Sequence, residues 1–212
     1  GYFAIRYDRF GNRDWEAIYD GPAGGFSEAR AVAADAAGSV WVTGESFGPG
    51  TDQDIATIRY AGQEHTLYCT AKVNSLGCAP AIAGLGNPSA SANAGFAVTG
   101  TQVRNNKSGL LLYSAGGRAA SPFQGGLLCV APQVRRTPGM SSGGNAPPAN
   151  DCSGAYAIDL NSFRAGLLGG SPHPALSVPG SVITAQWWGR DQGFPPPNNT
   201  TLSGGLEFVV GP

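Results

Sequence analysis

The stretch FAIRY at residues 3–7 returns as ATIRY at residues 56–60, 53 positions later, and this repeat of one strand constrains the chain more than any other feature. Between the two copies the sequence alternates polar and apolar residues with period two, in YFAIRYD, RDWEAIYD, ARAVAAD, VWVTGES and DIATIRYA. Aromatic and β-branched residues in this alternation, bounded by Gly, Asn and Asp, are the signature of strands. Five short strands therefore fill the first sixty residues. Turns are expected at DRFGN (8–12) and DAAGS (35–39), where Asp or Asn side chains close the bend and Gly supplies positive φ, and loops at GPAGGFSEA and FGPGTDQ.

A strand that recurs at a period near 50 residues with four strands per period points to a propeller blade. The residues carry a resemblance as well. Residues 2–61, with ATIRY, GNRDW, the GP loop and AVAADAAGSVWVTG, resemble the SBBP-type β-propeller repeat of bacterial secreted proteins. That family closes a ring from several blades, whereas this chain holds one period and the opening strand of the next. A closed monomeric propeller is excluded on strand count.

Residues 62–212 change character, with more Gly, Ser, Pro and Asn and no further copy of the repeat. A second domain is expected there. Its candidate strands are 66–73, 95–103, 109–114, 127–132, 155–159, 182–188 and 206–210, separated by turn clusters such as GLGNPSASANAG, NNKSG, SAGGR and GMSSGGNAPPAND. A two-sheet sandwich of jelly-roll type is the economical arrangement, and DLNSFRAGL is the single helix candidate, capped by Asp159 or Asn161. The expected fold is all-β, a blade-like antiparallel sheet over residues 1–61 and a disulfide-containing β-sandwich over 62–212. The second region resembles an uncharacterised C-terminal domain of large secreted proteins of environmental bacteria, through YCTAKVNSLGC, NPSAS, GLLLYSAGGRAASPFQGGLLCVAP, RRTP, QWWGRD and NNTTLSGGLEFVV. That resemblance implies secretion and a β-rich fold, and no assigned chemistry.

Cys69, Cys78, Cys129 and Cys152 form an even set without C-x2-C spacing, which favours disulfides over a zinc ribbon, with free buried thiols as the alternative. Of the three connectivities, Cys69 with Cys78 and Cys129 with Cys152 is the expected one, because each pair closes a Gly/Pro/Asn-rich loop between strand-like runs. The low charge, 13% of residues, agrees with a place outside the cytosol. The sequence opens at Gly1 without a basic n-region or apolar h-region, so a signal peptide, if there was one, is expected to have been removed or to lie upstream.

A net charge of −1 gives no basic footprint for nucleic acid or an anionic membrane, and no apolar run approaches the roughly 20 residues that span a bilayer. The chemical motifs are weak. GESFG at 44–48 fits G-x-S-x-G, but PGTDQD after it cannot start the helix that a nucleophile elbow requires. His65 and His173 have no acidic partner at motif spacing, Asp52 and Asp54 lack the rest of a calcium loop, and acids in the second domain are few. No catalytic residue, metal or cofactor is expected. In QWWGRD, Trp187 and Trp188 point to opposite strand faces, one toward a core and the other toward solvent or an interface, with Arg190 and Asp191 as a local ion pair. NNTT and NKS match glycosylation sequons but read as turn residues.

The repeated strand then acquires a use. A lone blade leaves pairing edges that a monomer must hide, and a neighbouring copy can cover them by strand addition. The expected function is a secreted, non-enzymatic structural protein whose strands, through Phe3, Ile5, Tyr7, Ile55, Ile58 and Tyr60, join copies of itself head to tail into a filament or surface layer. The alternative is a cell-surface adhesion or carbohydrate-binding module using Trp187 or Trp188 on surface glycans.

Overall fold

The structure is a computed structural model, and it describes residues 1–7, 13–34, 39–60 and 65–212. The chain is all-β, with several sheets and none closed into a barrel. It divides into two compact units, Gly1–Glu64 and His65–Pro212.

Unit 1 carries the five expected strands: β1 (Tyr2–Tyr7), β2 (Arg13–Tyr19), β3 (Ser27–Ala34), β4 (Val40–Phe47) and β5 (Gln53–Tyr60). They form two separate antiparallel sheets, the hairpin β1–β2 and the three-stranded β3–β4–β5. Residues two apart share a sheet face, so Tyr2 and Ala4 lie together and meet Val42 of β4 in a small core, with Tyr19, Val40, Ile58 and Tyr60 packed around it. The expected turns at 8–12 and 35–39 lie outside the described residues, except for Ser39. Among the described residues this core holds three buried hydrophobic side chains, and all four cysteines lie beyond the unit. Domains this small draw little stability from one hydrophobic core.

Unit 2 holds β6 (Thr66–Tyr68), β7 (Ala81–Gly86), β8 (Phe96–Val103), β9 (Ser108–Ser114), β10 (Arg118–Phe123), β11 (Gly126–Val130), β12 (Arg135–Arg136), β13 (Met140–Ser141), β14 (Gly154–Asp159), the five-residue helix α1 (Leu160–Arg164), β15 (Val182–Arg190), β16 (Thr200–Leu202) and β17 (Gly205–Val209). The large sheet runs β12-β9-β15-β17-β6, with β13 also on β9 and β16 on β15; a smaller one runs β14-β8-β7, and β10–β11 is a hairpin. One core takes Leu111, Tyr113, Ile183, Ala185, Trp187 and Phe208 from the large sheet and Ile82, Phe96, Val98, Tyr156 and Ile158 from the smaller. Trp187 and Tyr156 stack at its centre with ring centroids 5.1 Å apart. Gly100 permits this, since a Cβ there would sit 2.7 Å from the indole. Helix α1 starts where expected: the Asp159 carboxylate accepts from the Ser162 amide at 2.9 Å.

β15 is buried on both faces. Ile183, Ala185 and Trp187 face the core, while on the other side Gln186 accepts from the Cys129 amide at 2.9 Å and donates to the carbonyls of Leu127 and Ser203, which fixes the hairpin β10–β11 to the sheet. Burial pushes the Tyr156 phenol up to about 12, so the fold favours its neutral form. The associated stability is complete below the ordinary tyrosine value of 10.0 and is lost as pH rises through about 12. Alkaline titration is expected to show tyrosinate absorbance and loss of near-ultraviolet dichroism rising together above pH 10; full retention of the dichroism past pH 12 would contradict it.

Four expectations are corrected. The disulfides join Cys69 to Cys129 and Cys78 to Cys152. Cys69 follows the edge strand β6 and Cys129 lies in the hairpin that covers the sheet, where the Tyr68 hydroxyl also donates to the Cys129 carbonyl at 2.5 Å; sheet topology, not the local loop, sets the partner. The expected strand 66–73 ends at Tyr68, because Cys69 takes a left-handed backbone with φ of 62°. Strands β7, β10, β12, β13 and β16 are additional; they are short or built from Ala, Gly, Ser and Pro, so their alternation is faint. Asp191 pairs with Arg104 at 2.7 Å rather than with Arg190, whose guanidinium lies 5.3 Å from the Trp188 ring centroid.

Candidate assembly surface

The residues expected to join copies occupy strands with one unpaired edge. Among the described residues β1 pairs only with β2, and β5 only with β4. On β1 burial alternates among the described side chains: Tyr2 is 5% exposed and Ala4 8%, whereas Phe3, Ile5 and Tyr7 are 65%, 45% and 59% exposed. On β5 the expected set splits. Ile55 is 85% exposed, but Ile58 and Tyr60 are half-buried against Tyr2 and Val42. Ile58 and Tyr60 therefore hold unit 1 together, and an Ile58→Asp substitution would test folding rather than association.

The register extends the patch beyond the expected residues. Ile18 stands directly across from Phe3 on the hairpin's outer face and is itself exposed; on the outer face of β3–β4–β5, Trp41 is flanked by Ala33 and Arg59, and Ile55 lies across from Glu45. The sequence signal for Ile18 was the alternation of β2, which places it opposite Ala17; Trp41 could be found the same way, opposite Val42. Among the described residues of unit 1 the large exposed apolar groups thus lie on two outer faces over three buried hydrophobic side chains, which makes these faces the candidate contact surfaces. Burial raises the Tyr2 phenol, helped by the neighbouring Tyr60 and Tyr19, and burial raises the Tyr60 phenol as well, so Tyr2 and Tyr60 stay neutral.

In unit 2 the tryptophans separate as their alternation requires. Trp187 is core, and Trp188 lines a groove of about 280 Å³ with Leu110, Leu112, Phe123, Leu128 and Arg136. Its indole N–H donates to Gln124 Oε1 at 2.8 Å and Arg190 lies over its ring. A second groove, about 480 Å³, contains Lys72 and Phe194. Lys72 Nζ donates to the carbonyls of Gln124 and Asn198 at 2.8 and 2.5 Å, which engages the ammonium in loop closure.

The remaining motifs are structural. Ser46 of GESFG lies within β4 and is buried, accepting from the Tyr19 hydroxyl at 3.2 Å, next to Ser27; no turn presents it as a nucleophile. His173 caps a single turn of 3₁₀ helix, its Nδ1 accepting from the Ala175 amide, and His65 packs on Phe96. Asp54 accepts from Thr51 at 2.6 Å. Among the described residues no group of three or more His, Cys, Asp and Glu side chains could hold a metal ion, and no helix is long and apolar enough to cross a membrane. The two disulfides suggest an oxidising, extracellular environment. No family model, curated protein or solved structure matches the chain.

Proposed function

We propose that the protein is a secreted, non-enzymatic structural protein that assembles with copies of itself through the strands of unit 1 into an extracellular filament or surface layer. Unit 1 is read as a blade-like element of the propeller-repeat kind, and unit 2 as a jelly-roll-like sandwich. The observation that carries the reading is the contrast within unit 1, where, among the described residues, three buried hydrophobic side chains support two open sheets while Phe3, Ile5, Tyr7, Ile18, Trp41 and Ile55 remain exposed. Burying such side chains is worth about 1.5–3 kcal/mol each when complete, so covering the patch with another copy offsets the small internal core. Unpaired strand edges add main-chain hydrogen bonds to the same contact.

The test is negative-stain electron microscopy of the native, non-reduced protein alongside sedimentation velocity over a wide concentration range. Regular fibres or sheets, with sedimentation that grows with concentration, are expected. A dispersed monomer at every concentration would end this reading. It would favour the second one, a carbohydrate-binding or adhesion module, whose supporting observation is the Trp188 groove; glycan-array binding lost in Trp188→Ala would then follow. The engagement of that indole by Gln124 and Arg190 makes self-assembly the better supported of the two.

A further inference from the structure

The repeated strand buries opposite faces in its two occurrences. At an offset of 53 residues Tyr2 corresponds to Ile55, Phe3 to Ala56, Ala4 to Thr57, Ile5 to Ile58 and Tyr7 to Tyr60. In β1 the Tyr2/Ala4 side is buried and the Phe3/Ile5/Tyr7 side is exposed. In β5 the Ala56/Ile58/Tyr60 side is half-buried, while Ile55, Thr57 and Arg59 are exposed. A side chain and its repeat equivalent thus have reversed environments: Tyr2 is 5% exposed and Ile55 is 85%. The reversal arises because the hairpin and the three-stranded sheet contribute facing residues to one core, Tyr2, Ala4 and Tyr19 from one and Val42, Ile58 and Tyr60 from the other.

Each strand copy therefore displays the face that its counterpart buries. We infer that the outer face of the hairpin β1–β2 in one copy, Phe3, Ile5, Tyr7 and Ile18, stacks on the outer face of the sheet β3–β4–β5 in another copy, around Trp41 and Ile55. The inference rests on the self-assembly reading and names its contact. The hairpin would then lie between two sheets, its own on the Tyr2 side and a neighbour's on the Phe3 side, so the new contact continues the internal one. Two different faces in contact make a head-to-tail interface, which propagates as a filament wherever its rotation does not close a ring.

The experiment uses two full-length variants, Phe3→Lys to disable the hairpin face and Ile55→Lys to disable the sheet face, in sedimentation velocity. Both positions are exposed, so each variant should melt within a degree or two of the parent protein. Each variant alone is expected to be monomeric. Mixed in equal amounts they are expected to form heterodimers and nothing longer, because one competent contact remains per pair. A parent protein that fails to associate would remove the self-assembly reading and this inference with it. A parent protein that polymerises while the single variants still polymerise, or while the mixture stays monomeric, would overturn the face pairing and leave self-assembly standing. As a check independent of charge, a Phe3→Cys copy and an Ile55→Cys copy mixed under mild oxidation should give a disulfide-linked heterodimer in excess of either homodimer; an equal yield of homodimers counts against the contact.

Discussion

Replacing Cys69 and Cys129 with serine is expected to lower the unfolding free energy of unit 2 by roughly 4 kcal/mol, the chain-entropy value for a loop of this size. The residues are separated by 60 positions, and Cys78 and Cys152 by 74, so removing the second bridge should cost about as much. Had the bridges closed the short local loop between Cys69 and Cys78, the same relation would give about 3 kcal/mol. Urea unfolding followed by near-ultraviolet circular dichroism measures the difference, and a midpoint shift too small for 1 kcal/mol would reject the estimate. The two closed loops overlap along the chain, so the pair of losses should not add. Peptide mapping without reduction checks the connectivity directly: a fragment linking Cys69 to Cys129 is expected, and one linking Cys69 to Cys78 would refute the structure at this point.

Asp191→Ala is expected to be nearly as damaging, at about 3–5 kcal/mol, because it strands a buried cation. The Asp191 side chain is fully buried, and its carboxylate accepts from Arg104 at 2.7 Å, from the Ser75 amide and hydroxyl at 2.7 and 2.6 Å, and from the Gly193 amide. Arg104 in turn donates to Asn150 Oδ1 at 2.7 Å. Three segments distant in sequence, the turn at 74–78, Arg104 after β8 and the loop after β15, are thereby fixed at one carboxylate, and Arg104 ties in the loop before β14. Burial alone would raise the Asp191 carboxyl, but the hydrogen bonds from Ser75, Arg104 and Gly193 together hold it below the usual carboxylate range. Its contribution to stability is present above the unfolded-state value near 4 and is lost as pH falls through the lower folded-state value. Thermal melts between pH 6 and pH 2 should therefore fall more steeply for the parent protein than for Asp191→Ala. Parallel curves would show that Asp191 does not titrate as the geometry requires. Replacing Arg104 by Met and Asp191 by Leu together should cost less than Asp191→Ala, since neither charge is then left unpaired.

The parts of this molecule that could be read from sequence are those in which local pattern and tertiary context agree. The sequence pattern placed all five strands of unit 1, with clear alternation of buried and exposed residues in β4, although β3 is exposed along most of its length. In unit 2 the strongly apolar strands β8, β9, β15 and β17 were legible, as was α1 from its Asp159 cap. What escaped has a common cause. The short strands β12, β13 and β16 form because β9 and β15 already offer them a ladder, which no local preference encodes. Arg104 and Asp191 lie 87 residues apart, and each cysteine finds its partner across the fold, so neither pairing leaves a mark at short range. At the candidate surface, Phe3, Ile5 and Tyr7 were legible as a face of β1. That Ile55, and not Ile58, is the exposed isoleucine of β5 was hidden, because the repeat makes Ile5 and Ile58 look alike while the hairpin covers the opposite side of the second copy.

The interleaved order of the two bridges, Cys69 before Cys78 and Cys129 before Cys152, also governs how unit 2 would respond to tension. The shortest covalent route from His65 to Pro212 leaves the main chain at Cys78 and rejoins it at Cys152, bypassing a separation of 74 residues. A segment of that length could otherwise pay out roughly 250 Å of slack on full extension. In the proposed filament each unit 2 would then reach only about half as far as its uncrosslinked chain, even after its sheets had come apart.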